Sequence, residues 1–403
     1  MTSPPRVVPI EVHATSELPL GMPAEKFLRE YWQQRPLLIR AAFADLDSPL
    51  QPEDLAGLAC EEMALSRIIQ FDRVGDQWSL RSGPFDDDDF AALSASDWTL
   101  LVQDVDKWDA DVAALLPHFS FLPSWRLDDV MVSYAVDGGS VGAHIDQYDV
   151  FLLQGLGRRR WQIDTNPDAP KAFRDDAELK LLREFNPSHE WLLQSGDMLY
   201  LPPGVPHHGV ADGKCLTFSI GMRAPSAAEL MLDLVDTLAA AMPEEARFSD
   251  AGMSPPTALG EIDSVALRRV QRMLQTALAT DSELVRDWFG GFITRYRAAH
   301  EILPRESALS MAELQKQLQR GASLMRNPWS RFAWARDRRA ACLFVSGEQF
   351  SSSIALAERL CDDSTFEADE ISSLAPEAQL LLLELVNAGH VAVISPSRSR
   401  RNT

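Results

Sequence analysis

Residues 141–163 read VGAHIDQYDVFLLQGLGRRRWQI, and their alternation decides how the rest of the chain is understood. Side chains two apart on a strand share a face. His144, Asp146, Tyr148 and Val150 therefore make one side of a strand, and Ile145, Gln147, Asp149 and Phe151 the other. The Gly-Leu-Gly at 155–157 reads as a turn into a second strand. There Arg158, Arg160 and Gln162 share one face, and Arg159, Trp161 and Ile163 share the opposite one. Just upstream, Gly138, Gly139 and Gly142 suit a tight approach of the backbone. Residues 196–209, GDMLYLPPGVPHHG, add a strand, a Pro-Pro-Gly turn and two further histidines.

At strand spacing, the His144 imidazole and the Asp146 carboxylate can converge on one ion. A histidine from a neighbouring strand would complete a facial set of two imidazoles and one carboxylate, which leaves open positions and is diagnostic of non-haem Fe(II) oxygenases. A lone His-x-Asp is weak, because it recurs by chance. Its second half strengthens it here: Gly196, Pro202, Gly204 and His207 have the spacing of the second cupin motif, whose histidine is a metal ligand. His207 is thus the third ligand, and His208, which should point the other way, is its alternative. His13, His189, His300 and His390 lack such context and read as surface residues.

Arg159 carries a separate inference. Parity puts it on the buried side with Trp161 and Ile163. A guanidinium cannot shed its proton, so burial demands an anionic partner. No acidic residue of the local pattern faces it. A carboxylate co-substrate gripped by two parallel hydrogen bonds would satisfy it; an internal salt bridge to a distant acid is the structural alternative.

The 403 residues leave room for two or three domains, and 46% hydrophobic with 24% charged residues is globular composition. A net charge of -21 argues against binding nucleic acid through phosphate contacts and permits a basic partner. Cys60, Cys215, Cys342 and Cys361 are far apart and read as reduced thiols. The start, MTSPPRVVPIEV, has no apolar signal region, and LLLLELVNAGHVAVI is short and interrupted by Glu384, Asn387 and His390. A cytoplasmic protein without membrane attachment is expected.

Taken in order, AEKFLREYWQQ is helical, RPLLIR a strand, and SRIIQFDRVGDQWSLRSGPF a hairpin turning at Gly75-Asp76. WTLLVQDVDKW is ambiguous between strand and helix. Residues 164–190 read as a polar insertion, a loop with a short helix. After Pro225 the texture becomes helical, and beyond Pro304 an α/β order ending in a short strand pair suggests a winged helix. The boundaries are a barrel at 1–225, a helical region at 226–303, a winged-helix-like domain at 304–395 and a basic, disordered tail at 396–403.

The segments FLREYWQQRPLLIR, WTLLVQDVDKW, DDVMVSYAVDGGSVGAHIDQYDVFLLQGLGRRRW, GDMLYLPPGVPHHG and FSIGMRAP, within residues 25–225, resemble the JmjC (cupin) Fe(II)/2-oxoglutarate oxygenases. Among these they look like the bacterial ribosomal oxygenase group, which hydroxylates an arginine of large-subunit ribosomal protein sixteen. The resemblance implies an α+β chain: a double-stranded β-helix (jelly-roll) barrel, a helical dimerisation region and a winged helix. It implies Fe(II) held by His144, Asp146 and His207, with 2-oxoglutarate and dioxygen as co-substrates. It implies that Arg159 takes the distal carboxylate of 2-oxoglutarate, and it puts Ser133 on a strand lining that pocket. A homodimer acting on a basic ribosomal protein follows, with Asp137, Tyr148 and Asp149 as candidates to meet an arginine at the barrel mouth.

Two other readings compete. One is a JmjC oxygenase acting on another protein residue. The other is a metal-binding cupin sensor working through its winged helix on DNA. PEAQLLLLELVNAG carries glutamates and no lysine or arginine, which weighs against direct DNA binding.

Overall fold

The computed structural model describes residues 9–296 and 300–395; the tail expected to be disordered, 396–403, lies outside the described residues. The chain divides into two compact units, residues 1–224 and 225–403.

In the first unit ten strands form one continuous sheet: β1 (Glu11–His13), β2 (Leu37–Arg40), β3 (Ser66–Asp72), β4 (Gln77–Ser82), β5 (Trp98–Val102), β6 (Leu127–Ala135), β7 (Val150–Ile163), β8 (His189–Gln194), β9 (Met198–Leu201) and β10 (His207–Met222). Their order is β1-β2-β9-β7-β10-β6-β5-β3-β4, with β8 also on β7. The long strands β7 and β10 run antiparallel and hold the fold together. The first residues of β7 pair with β9 and its last six with β8, so one strand serves both walls of the jelly roll.

The bend between the walls lies at the Gly-Leu-Gly expected to be a turn. β7 instead passes straight through it, with register irregularities opposite, between Asp212 and Thr217 of β10. Gly157 takes a φ of 64°, and a Cβ there would sit 2.1 Å from the Lys214 carbonyl oxygen. The glycines bend a continuous strand rather than end it.

A second correction concerns residues 141–149, expected to be regular strand. They form only isolated bridges, Ser140 with Val210 and His144 with His207, and the ladder begins at Val150. Gly142, at a φ of 80°, departs from extended backbone. The insertion at 164–190 contains no helix; it is irregular, apart from a bridge between Phe173 and Leu182, until β8 begins at His189. WTLLVQDVDKW divides into β5 and a short helix, Val105–Trp108.

Both faces of β7 are apolar, and each has its own core. Phe151 and Leu153 join Phe27, Tyr31, Leu55 and Phe119 from the covering helices and turns. Val150, Leu152, Trp161 and Ile163 join Leu38, Leu193, Leu199 and Leu201 inside the barrel. Fully burying a side chain of this size contributes roughly 1.5–3 kcal/mol, so the interior has no apolar reason to admit a charge.

The second unit begins with helices Ala227–Ala240, Ser264–Ala277 and Ser282–Arg295. Asp or Ser side chains cap all three N-termini. Helix Met311–Leu318 follows, then β11 (Ser323–Arg326), β12 (Phe332–Asp337), β13 (Ala340–Val345), β14 (Glu348–Ser352), β15 (Thr365–Phe366) and β16 (Val391–Ile394). They make two three-stranded sheets, β15-β11-β16 and β12-β13-β14. Helices Ile354–Asp362 and Pro376–Asn387 pack on them through Leu356, Leu360, Leu382 and Leu385. His390, expected at the surface, is 4% exposed and bonds through Nδ1 to the Ser330 hydroxyl. It precedes β16 in the short turn after Gly389, where chain reversal turns its ring inward.

Candidate active site

The irregular segment and the start of β10 bring three side chains together. The His144 N–H donates to the His207 carbonyl and the His207 N–H to the His144 carbonyl, both at 3.0 Å. That bridge brings the two imidazoles side by side, with centroids 4.2 Å apart and planes tilted by 59°. Asp146 reaches in beside them, its Oδ2 lying 3.8 Å from His144 Nε2 and 3.6 Å from His207 Nε2. One ligand atom from each lies within 4.8 Å of the others.

The tautomers follow from the backbone. Nδ1 of His144 lies 2.9 Å from the Gly142 carbonyl, and Nδ1 of His207 lies 2.9 Å from the Val205 carbonyl. A carbonyl only accepts, so each Nδ1 carries the proton and each Nε2 presents its lone pair to the cluster. Burial first, then the neighbouring His144, pushes the His207 pKa down to about 4, which keeps it neutral. His208 is not in the cluster; it packs edge-on against Phe185, as strand parity requires. Two imidazoles and a carboxylate, partly exposed at one side, suit a divalent iron with open positions.

Arg159 is 2% exposed, and Trp161 and Ile163 on the same face are buried with it. Arg158 and Arg160, on the other face, point to solvent and pair with Asp212 and Glu190. The Arg159 guanidinium donates to the Ser133 hydroxyl at 3.4 Å and the Gly209 carbonyl at 3.3 Å, both long. Its Nε has no partner, and it stacks 5.2 Å from the Trp161 ring. Among the described residues no carboxylate pairs with it. Burial, which disfavours the charged form, pushes its pKa down. A buried cation with a spare donor fits a carboxylate ligand at that place in the barrel.

Ser133 belongs to a row on β6. Asp129, Met131 and Ser133 alternate with Val130 and Val132, which point into the outer core, so the row faces the barrel interior with Arg159. Asp129 escaped the sequence reading. Burial first, then the neighbouring Asp104 and Asp128, pushes its carboxyl up to about 7. It accepts the Asp104 N–H at 3.1 Å, and the charges of Asp146 and Asp129 both disfavour ionisation of the Tyr148 hydroxyl, after burial. The sequence signal was strand parity: Met131 and Asp129, two and four residues before Ser133, share its face.

Of the three residues considered for the barrel mouth, Tyr148 is there, 37% exposed beside Asp146. Asp137 is exposed at the far end of β6, where it accepts the Gly213 N–H. Asp149 is fully buried and tied to protein donors, so it cannot meet a substrate. No helix is long and apolar enough to cross a membrane among the described residues.

Comparison with known proteins agrees with this geometry. Residues 114–230 match the JmjC domain family and residues 277–392 a ROXA-like winged helix. The chain is 32% identical to the ribosomal protein uL16 3-hydroxylase of Escherichia coli over 90% of its own length and 96% of that protein's. It is 38% identical to a probable ribosomal oxygenase of Haemophilus influenzae over 53% of each chain. The crystal structure of the E. coli ribosomal oxygenase YcfD superposes with a TM-score of 0.79 at 32% identity, covering 93% of this chain and 99% of that one. A structure of YcfD in complex with cobalt and 2-oxoglutarate matches with a TM-score of 0.78 at 31% identity, over 93% and 99%. A jelly roll with a His-Asp-His cluster, a winged helix and near full-length similarity converge on one conclusion: the chain belongs to the JmjC ribosomal oxygenase family.

Proposed function

We propose that this protein is an Fe(II)- and 2-oxoglutarate-dependent dioxygenase that hydroxylates an arginine side chain of the large-subunit ribosomal protein uL16. The observation that carries the reading is Arg159, a buried cation that no carboxylate pairs with among the described residues, in the same barrel as three converging side chains suited to hold a metal. In this reading His144, Asp146 and His207 hold the iron, while Arg159, steadied by Ser133, holds the distal carboxylate of 2-oxoglutarate. Iron, 2-oxoglutarate and dioxygen supply the oxidising chemistry, with succinate and carbon dioxide as co-products.

The chain's own part is orientation and exclusion of water. The two Nδ1–H bonds to backbone carbonyls fix the imidazole rings. The walls of Val150, Leu152, Leu199 and Leu201 keep the interior dry. An arginine substrate is supported by Asp129, whose ionised form burial disfavours and an incoming guanidinium would favour. The net charge of -21 steers a basic protein toward the site.

The chain is read as a catalytic barrel at 1–225, a helical region at 226–303 and a winged-helix-like domain at 304–395. A homodimer through the helical region is supported by helices Ala227–Ala240 and Ser264–Ala277, which have no buried residue. They expose Met231, Leu232, Leu267 and Leu274, a set that calls for a covering surface. No DNA contact is proposed, and the cytoplasm is the expected compartment.

The deciding experiment is intact-mass analysis of ribosomal proteins from cells lacking this protein, incubated with the purified chain, Fe(II) and 2-oxoglutarate. A gain of one oxygen on uL16, mapped by fragmentation to an arginine and absent with His207→Ala, is expected. Succinate formation without that gain would remove the ribosomal substrate and keep the oxygenase.

A further inference from the structure

Given that the triad binds metal, we infer that Asp149 is a positioning residue for it: its buried carboxylate anchors the irregular segment that carries His144 and Asp146.

That segment has no strand ladder of its own. Its first part is fixed by the His144–His207 bridge, by Leu182 N–H to the Ala143 carbonyl at 2.8 Å, and by Gly204 N–H to the Asp146 carbonyl at 2.8 Å. Its far end is fixed at Asp149, just before β7 begins. The Met222 N–H donates to the Asp149 carbonyl at 3.1 Å. The side chain, 0% exposed, gathers donors from three separate parts of the unit. Tyr200 of β9 donates to Oδ1 at 2.7 Å. Gln33, just past helix Ala24–Glu30, donates through Nε2 to Oδ2 at 2.9 Å, and Arg126 pairs with Oδ2 at 3.2 Å. The Tyr200 oxygen also accepts the Gln33 N–H at 2.8 Å, so its proton is committed to Asp149.

A carboxylate with donors on both oxygens cannot move without stranding buried polar groups. Asp146 lies three residues away on a stretch too short to absorb such a shift, so its carboxylate is held in register with the two imidazoles. Asparagine at 149 keeps only one acceptor oxygen, so its NH2 faces either Gln33 and Arg126 or the Tyr200 hydroxyl, donor against donor in each case. Phenylalanine at 200 would remove one donor and leave the carboxylate and the other two.

The test uses the full chain and cobalt(II) as probe, with affinity from calorimetry and site geometry from the visible absorption of the bound ion. Asp149→Asn and Tyr200→Phe are compared with Leu55→Ala, a core truncation in helix Pro52–Ala59 that lowers stability without touching the anchor. Outer partners of metal ligands are typically worth about 10–100-fold in metal affinity. That loss, with altered absorption bands, is expected for Asp149→Asn, and a smaller loss for Tyr200→Phe, while Leu55→Ala binds as the parent does. Parental affinity and spectrum in both anchor variants would overturn the inference, as would an equal loss in Leu55→Ala. Should Asp149→Asn fail to fold, Tyr200→Phe decides. Cobalt binding that survives His207→Ala would instead reject the metal site itself, a different failure.

Discussion

Replacing Arg159 by methionine should disable the protein while changing the stability of the ligand-free chain by little. The guanidinium is 2% exposed, its hydrogen bonds to Ser133 and Gly209 are 3.4 and 3.3 Å long, and its Nε is unpartnered. Substituting well-packed hydrophobic residues for buried charged groups is often neutral or stabilising by about 1–4 kcal/mol. Against that stand the Trp161 stacking, about 1 kcal/mol, and two weak acceptors left without a donor, about 1 kcal/mol each. The balance runs from about 2 kcal/mol against the variant to about 1 kcal/mol in its favour, a shift of at most about 8 °C in the melting of the first unit. The cost falls on the co-substrate. Losing a charge-assisted, two-pronged grip on a carboxylate is worth roughly 2–5 kcal/mol, which raises the KM for 2-oxoglutarate by about 30-fold or more. The assays are calorimetric melting of the metal-free chain and succinate formation against 2-oxoglutarate concentration. A variant destabilised by more than about 2 kcal/mol, or one with a parental KM, would refute the reading of Arg159 as a cation awaiting its anion.

His207 is held near a pKa of about 4 against an ordinary 6.5, so the unfolded chain binds its proton first. The associated stability is fully present above pH 6.5 and lost as the pH falls toward 4, on the order of 3 kcal/mol. Denaturant midpoints of the metal-free protein should therefore drop over that interval and flatten in His207→Gln. Asp129 has the opposite sign: with its carboxyl raised to about 7, ionisation weakens the fold as the pH climbs from 4 to 7. Asp129→Asn is expected to gain about 2 kcal/mol at pH 8 after allowance for its partial exposure and to lose about 100-fold in kcat/KM for an arginine substrate. An unchanged kcat/KM would detach Asp129 from substrate binding. Glutamate at both Leu267 and Leu274, exposed on helix Ser264–Ala277, should yield monomers in analytical ultracentrifugation; a parental chain already monomeric at micromolar concentration would reject the dimer.

Much of the site could be read before any coordinates, because its chemistry is local. Period-two parity separated Arg159 from Arg158 and Arg160, since a buried guanidinium and two solvated ones must alternate on a strand. The glycine and proline spacing before His207 marked the ligand that completes the His-x-Asp pair. What the tertiary structure alone decided depends on partners distant in the chain. Gly155 and Gly157 look like a turn in isolation; they become a bend because β10 lies alongside and continues the pairing past them. Residues 141–149 alternate like a strand, yet no neighbour offers them a ladder, and Asp149 turns inward because Tyr200, Gln33 and Arg126 converge there. Side-chain periodicity is a property of the local backbone and is written in sequence. The pairing that bends a strand, and the donors that bury a carboxylate, arrive from residues far away and exist only once the chain has folded.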